Sequence, residues 1–158
     1  MKIAVVMGSK SDLPKLESGI DLIKSYGIEV VVRILSAHRT PMELTSFLDE
    51  IKDNTDVIIA AAGKAAHLPG VIAAQTLIPV VGLPIKSSTM DGLDSLLSIV
   101  QMPSGIPVAT VTIDSGMNAA LMAIQIASVK YPVLREKLAG YRKEMEEKVL
   151  ADDASVEF

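Results

Sequence analysis

The chain of 158 residues has no cysteine, no tryptophan and only 3% aromatic residues. Without cysteine there is no disulfide scaffold, thiolate zinc site, iron–sulfur cluster or cysteine nucleophile, and the composition suits a reducing cytoplasm. There is no basic block either: fifteen Lys and Arg against nineteen Asp and Glu give a formal charge of -4, which with so few aromatics argues against nucleic acid as a partner. No apolar run reaches the ~20 residues of a spanning helix, and no cleavage-like site follows the apolar start, so a cytoplasmic protein with no membrane association is expected. What is present is aliphatic: 49% of residues are hydrophobic and mean hydropathy is +0.40. A single domain of this size buries its core without staples, and the excess apolar surface points to contacts between subunits.

Short apolar runs recur at Lys2 to Met7, Ile28 to Leu35, Asp56 to Ala62, Pro79 to Leu83 and Pro107 to Ile113, and they read as buried strands. Helical spacing fills the intervals: Asp12 to Tyr26, Pro41 to Ile51, Leu68 to Thr76 and Gly92 to Met102. Such alternation, with strands apolar on consecutive positions, predicts a doubly wound parallel sheet in three α/β/α layers. Ser115 to Val129 is apolar nearly all round and is expected to be buried on several sides, partly by another subunit. After Pro132 an amphipathic helix closes the domain, so residues 1–150 are expected to form one unit and 151–158 a flexible tail.

In an open parallel sheet, ligands bind beyond the carboxyl ends of the strands. Three polar or glycine-rich loops fall there: Gly8-Ser9-Lys10-Ser11-Asp12, Ser36-Ala37-His38-Arg39-Thr40-Pro41 and Gly63-Lys64-Ala65-Ala66-His67-Leu68-Pro69-Gly70. The first offers hydroxyls and backbone N–H groups at a helix start, suited to phosphate, or equally to plain capping by Ser11 or Asp12. In the second, Thr40 reads as a helix cap, leaving His38 and Arg39 at the sheet edge. There a guanidinium can take an anion bidentately and an imidazole can move a proton both ways. The third is a wall of small residues with His67, which reads either as a buried hydrogen-bonded histidine or as a proton carrier. Asp91 reads as the cap of the following helix. Two histidines without an acidic pattern make no metal site, and there is no GxGxxG, no GxxxxGK[ST] and no GxSxG.

Taken in order, GSKSD, SAHRTP, AAHLPG and GLDSLLSIVQMP…GIPVAT resemble the PurE family of purine biosynthesis, in its first class, the N5-carboxyaminoimidazole ribonucleotide mutases. The likeness runs from about Ile3 to the final helix. It implies a flavodoxin-like sheet with an extra C-terminal helix and a homo-octamer with sites at subunit junctions. It also implies no metal, no cofactor and a ribonucleotide substrate whose carboxylate moves from an exocyclic nitrogen to ring carbon C4. By the same resemblance His38 is the proton carrier, Ser9, Asp12 and Arg39 hold phosphate and ribose, and Ser11, Ser36 and Ala37 lie nearby. Gly63, Ala65, Ala66, His67 and Leu68 then wall the pocket for the carboxylate. The chain departs from the familiar motif at Lys64, where a second glycine usually stands. That side chain could narrow the pocket, add charge near the carboxylate or point to solvent.

Two other readings compete. One is direct carboxylation of aminoimidazole ribonucleotide by carbon dioxide, as in the second PurE class. The other is a non-catalytic flavodoxin-like ligand-binding module. A phosphoacceptor receiver needs acids after its first and third strands, where Met7-Gly8 and Ala62-Gly63 stand, and a flavin carrier needs aromatic residues that are scarce here.

Overall fold

The computed structural model describes residues 1–157; Phe158, the end of the expected tail, lies outside the described residues. Its strands are β1 (Lys2–Met7), β2 (Glu29–Ile34), β3 (Val57–Gly63), β4 (Val80–Ile85) and β5 (Ala109–Thr110). All pair in parallel, in the order β2-β1-β3-β4-β5. This is the doubly wound, flavodoxin-like arrangement, in which the winding direction reverses between β1 and β3.

Burial on both faces explains why the inner strands are apolar at every position. Ile3, Val5 and Met7 face a core completed by α1 (Leu13–Ser25) and α5 (Gly116–Ala127). Ala4 and Val6 face the opposite core, with Leu44, Phe47 and Leu48 of α2 (Pro41–Ile51), Leu68 and Ile72 of α3 (Leu68–Ala73) and Ile99 of α4 (Leu93–Val100). The last helix, α6 (Val133–Ala154), docks by Leu134 and Leu138. Pro84 sits inside β4 without harm. Its carbonyl faces the β5 side, past the residues that β5 pairs, and accepts the Asp114 N–H at 2.9 Å, so no ladder donor is missing.

The structure corrects several expected boundaries. β2 is an edge strand, with Arg33 and Ile34 exposed, so it is not buried as its sequence suggested. β5 shrinks from the expected seven-residue run to Ala109–Thr110, because Pro107 and the turn after Thr110 leave little to pair. α6 continues to Ala154, so the segment expected as tail starts as helix. α5 buries Ala119, Ala120, Ala123, Ile124 and Ala127, while Met122 on its outer face stays 36% exposed.

Candidate active site

Four loops leave the carboxyl edge of the sheet and enclose a cleft of about 620 Å³. It lies over β1 and β3, where the strand order reverses. The loop after β1 contributes Ser9, Ser11 and Asp12. Ser9 caps a short 3-10 turn, Lys10–Asp12: its hydroxyl accepts the Ser11 N–H at 3.3 Å and lies 2.8 Å from the Ser11 hydroxyl. Asp12 precedes α1 without a side-chain capping bond, so neither Ser11 nor Asp12 is the cap that the sequence offered. Asp12 is only 9% exposed. Burial pushes its carboxyl above the usual range and the nearby Asp114 adds to this, against hydrogen bonds from Ser11 and Ser9 and the charge of Arg39.

The loop after β2 brings Ser36, Ala37, His38 and Arg39 to the cleft. Arg39 Nη2 donates to the Gly8 carbonyl at 2.6 Å and Nε to Ser36 Oγ at 3.3 Å, tying the first two loops together. Thr40 is not the expected capping group. Its hydroxyl turns back to accept the Ser36 N–H at 2.8 Å and lies 3.2 Å from the Ser36 carbonyl.

Gly63, Ala65, Ala66, His67 and Leu68 form the third wall, folded by a turn in which Ala66 N–H donates to Gly63 C=O at 3.0 Å. That turn returns His67 towards β2, across the end of β1. His38 Nε2 and His67 Nδ1 stand 2.7 Å apart, with the rings edge to face at 76° and their centroids at 4.9 Å. One nitrogen must donate and the other accept, so the pair couples the tautomers of the two rings and excludes protons on both facing nitrogens. The contact was foreseeable only in part. Both histidines fall after strands that flank β1, but the reach between them depends on the loop turn.

All twelve residues singled out from the sequence line this cleft. Lys64, whose direction the sequence leaves open, also lines it, as does a fourth loop, Lys86 to Ser88, which the sequence shows as a polar run after the fourth strand. The expected fourth strand ends at Leu83, whereas β4 runs through Pro84 to Ile85 beside β3, up to the start of this loop. Ser87 is buried there, its hydroxyl 2.9 and 2.8 Å from the two Asp94 carboxylate oxygens, and Lys86 pairs with Asp91 at 2.6 Å. Asp91 therefore staples its loop and does not cap α4, whose cap position is Gly92 at φ +96°. Behind the imidazole pair a second hollow of about 350 Å³ is bounded by Ala37, Gly70, Val71, Ser98 and Met102.

The fold is an α/β sheet with its cleft at the switch point: hydroxyls and a guanidinium on one side, a hydrogen-bonded imidazole pair in the middle and a small-residue wall on the other. The model of the AIR carboxylase family matches residues 2–148, and the chain belongs to that family. It is 51% identical over 148 residues to the N5-carboxyaminoimidazole ribonucleotide mutase of Pyrococcus horikoshii, covering 93% of this chain and 84% of that one. To the mutase of Methanocaldococcus jannaschii it is 49% identical over 156 residues, covering 98% and 96%. A crystal structure of Treponema denticola PurE superposes with a TM-score of 0.91 at 30% identity, covering 99% of each chain.

Proposed function

We infer that this chain is an N5-carboxyaminoimidazole ribonucleotide mutase of purine biosynthesis, an isomerase that moves a carboxylate from the exocyclic nitrogen to ring carbon C4. The observation that carries the reading is the His38–His67 pair at 2.7 Å beside an anion-binding loop, in a chain about half identical to relatives bearing that name. Ser9, Ser11 and Arg39 hold the phosphate and Asp12 the ribose; Ser36 and Ala37 shape the floor, and the Gly63 to Leu68 loop encloses the carboxylate.

His38 carries the proton. Cleavage of the N–CO2 bond leaves its electron pair on nitrogen, which takes a proton from the imidazolium as carbon dioxide departs. Ring carbon C4 then attacks the carbon dioxide, and the neutral imidazole removes the C4 proton, so the ring ends as it began. His67 is a positioning residue: its hydrogen bond holds the His38 ring to one orientation. The small residues keep carbon dioxide next to C4 in place of water. Phosphate contacts supply binding energy remote from the reaction.

The finer reading is a homo-octamer, in the cytoplasm, with sites at subunit junctions. In its support, α4 exposes Leu93, Leu97 and Val100 along one side. No helix among the described residues is long and apolar enough to cross a membrane, and cysteine is absent.

The test is product formation from N5-carboxyaminoimidazole ribonucleotide without bicarbonate, beside aminoimidazole ribonucleotide with it. Fast conversion of the first and slow conversion of the second is expected, with His38→Asn abolishing turnover while substrate still binds. The opposite preference makes the protein a carboxylase, and His38→Asn activity within about tenfold of wild type removes His38 as proton carrier.

A further inference from the structure

Lys64 follows the last residue of β3, is exposed and lines the cleft. Its φ is +55°, in the left-handed region that glycine enters freely and a side chain enters at a cost. A strained residue at a cleft wall points to something its side chain does there. The other charged groups of the cleft are engaged. Arg39 donates to Gly8 and Ser36, Lys86 is paired with Asp91, and Asp12 sits against the Ser11 hydroxyl. Lys64 has no carboxylate within ion-pair distance among the described residues.

On the reading given above, the substrate brings two anionic groups. The phosphate is taken by the loops after β1 and β2. β3 lies on the other side of β1 from β2, so Lys64 stands away from the phosphate loops and in the same loop as His67. The group reacting at the imidazole pair is the carboxylate; Arg39, next to His38, is tied to Gly8 and Ser36, which leaves Lys64, three residues before His67, as the unengaged cation beside the pair.

We propose that Lys64 recognises the substrate carboxylate: its ammonium holds the –CO2⁻ group against the His38–His67 pair and makes the site prefer carboxylated over uncarboxylated aminoimidazole ribonucleotide. Both the substrate and the product carry that anion, whereas the carbon dioxide formed between them is neutral. The lysine therefore stabilises bound ground states more than the decarboxylation transition state, and its contribution appears in binding and not in turnover.

The experiment uses the full chain with Lys64→Gly, which relieves the backbone at +55°, and Lys64→Arg, which keeps the charge. Equilibrium binding is measured for 4-carboxy-5-aminoimidazole ribonucleotide and for aminoimidazole ribonucleotide, together with kcat and KM for the N-carboxylated substrate. Expected for Lys64→Gly is binding of the carboxylated nucleotide weakened about fivefold, with the uncarboxylated one within about twofold. KM should rise in step, kcat should be unchanged or higher, and Lys64→Arg should restore affinity. Equal weakening of both nucleotides, no weakening, or a fall in kcat at constant KM overturns the proposal. Wild-type protein that does not convert the N-carboxylated substrate overturns the functional reading and this inference with it; wild-type turnover with an unaltered Lys64→Gly overturns the inference alone.

Discussion

Two aspartates show how the same side chain serves opposite ends at the two edges of the sheet. Asp12, at the cleft, has its carboxyl raised by burial. Asp56, at the far edge, would also be raised by burial, but it accepts Lys130 Nζ at 2.9 Å, the Lys2 N–H at 2.9 Å and the Tyr131 hydroxyl at 3.1 Å, and the net direction is down. The linkage signs follow. A raised folded-state pKa means that ionised Asp12 opposes folding at neutral pH, a cost relieved as pH falls through that pKa. A lowered one means that Asp56 stabilises the fold above its unfolded pKa, a contribution lost as pH falls through the folded value. Asp12→Asn is therefore expected to raise Tm at pH 7 while weakening nucleotide binding, a difference that closes as pH falls towards about 4, and Asp56→Asn to lower Tm at pH 7, a difference that shrinks only below about pH 4. Thermal melts of both variants between pH 3 and 7 check the signs. The same sign for both at neutral pH would contradict this account.

Among the elements, the tightest contact is between α1 and α5. A Cβ on Gly116 would run into the Lys15 carbonyl and the backbone of Leu16, and one on Gly19 into the Gly116 carbonyl. The two helices approach backbone to backbone, and Lys15 adds an ion pair with Asp114 at 2.9 Å. Gly116→Ala is expected to cost about 1–3 kcal/mol through overpacking, despite the better helix propensity of alanine, read as a lower urea midpoint. An unchanged midpoint would mean that the helices part freely. α1 begins directly after the Ser9–Asp12 loop, so the variant should also weaken nucleotide binding.

The inner strands and most helices were legible in the sequence because burial on both faces leaves long apolar runs and helical spacing needs no partner to be seen. β2 misled because Val30 to Val32 have the same composition as a central strand, and only pairing shows that one side is open. β5 and the caps at Thr40 and Asp91 depended on where hydrogen bonds went, which spacing does not encode. The cleft was legible in its first three loops, since glycine, histidine and serine gather at strand ends. The fourth shows in the sequence as a polar run from Lys86 without the glycine or histidine that marks the others, and the imidazole contact depends on a turn at residues 63–66.

For the whole molecule, the open question raised by its apolar content is what covers it. Leu93, Leu97 and Val100 lie along one side of α4 at 46%, 46% and 48% exposure, with Met90 at 50% just before them. Light scattering at micromolar concentration is expected to give eight times the 16.8 kDa subunit mass. Leu93→Glu combined with Leu97→Glu should lower that mass and the activity together, with helix content retained. A monomeric wild-type mass would remove the shared-site model.

Every loop that lines the cleft leaves the same edge of the sheet, and the strands enter from the other, through the turns at Gly27, Asn54 and Leu77. In evolutionary terms this divides the chain into two kinds of positions. Insertions and drift at the entry turns can accumulate without touching chemistry, held in check mainly by the anchor at Asp56. The exit loops are instead bound to one another by Arg39 and by the two imidazoles, so a change in one loop is felt at once by its neighbour. Specificity can then shift most readily at a described residue that makes no side-chain hydrogen bond or ion pair to another loop. Lys64 is such a residue.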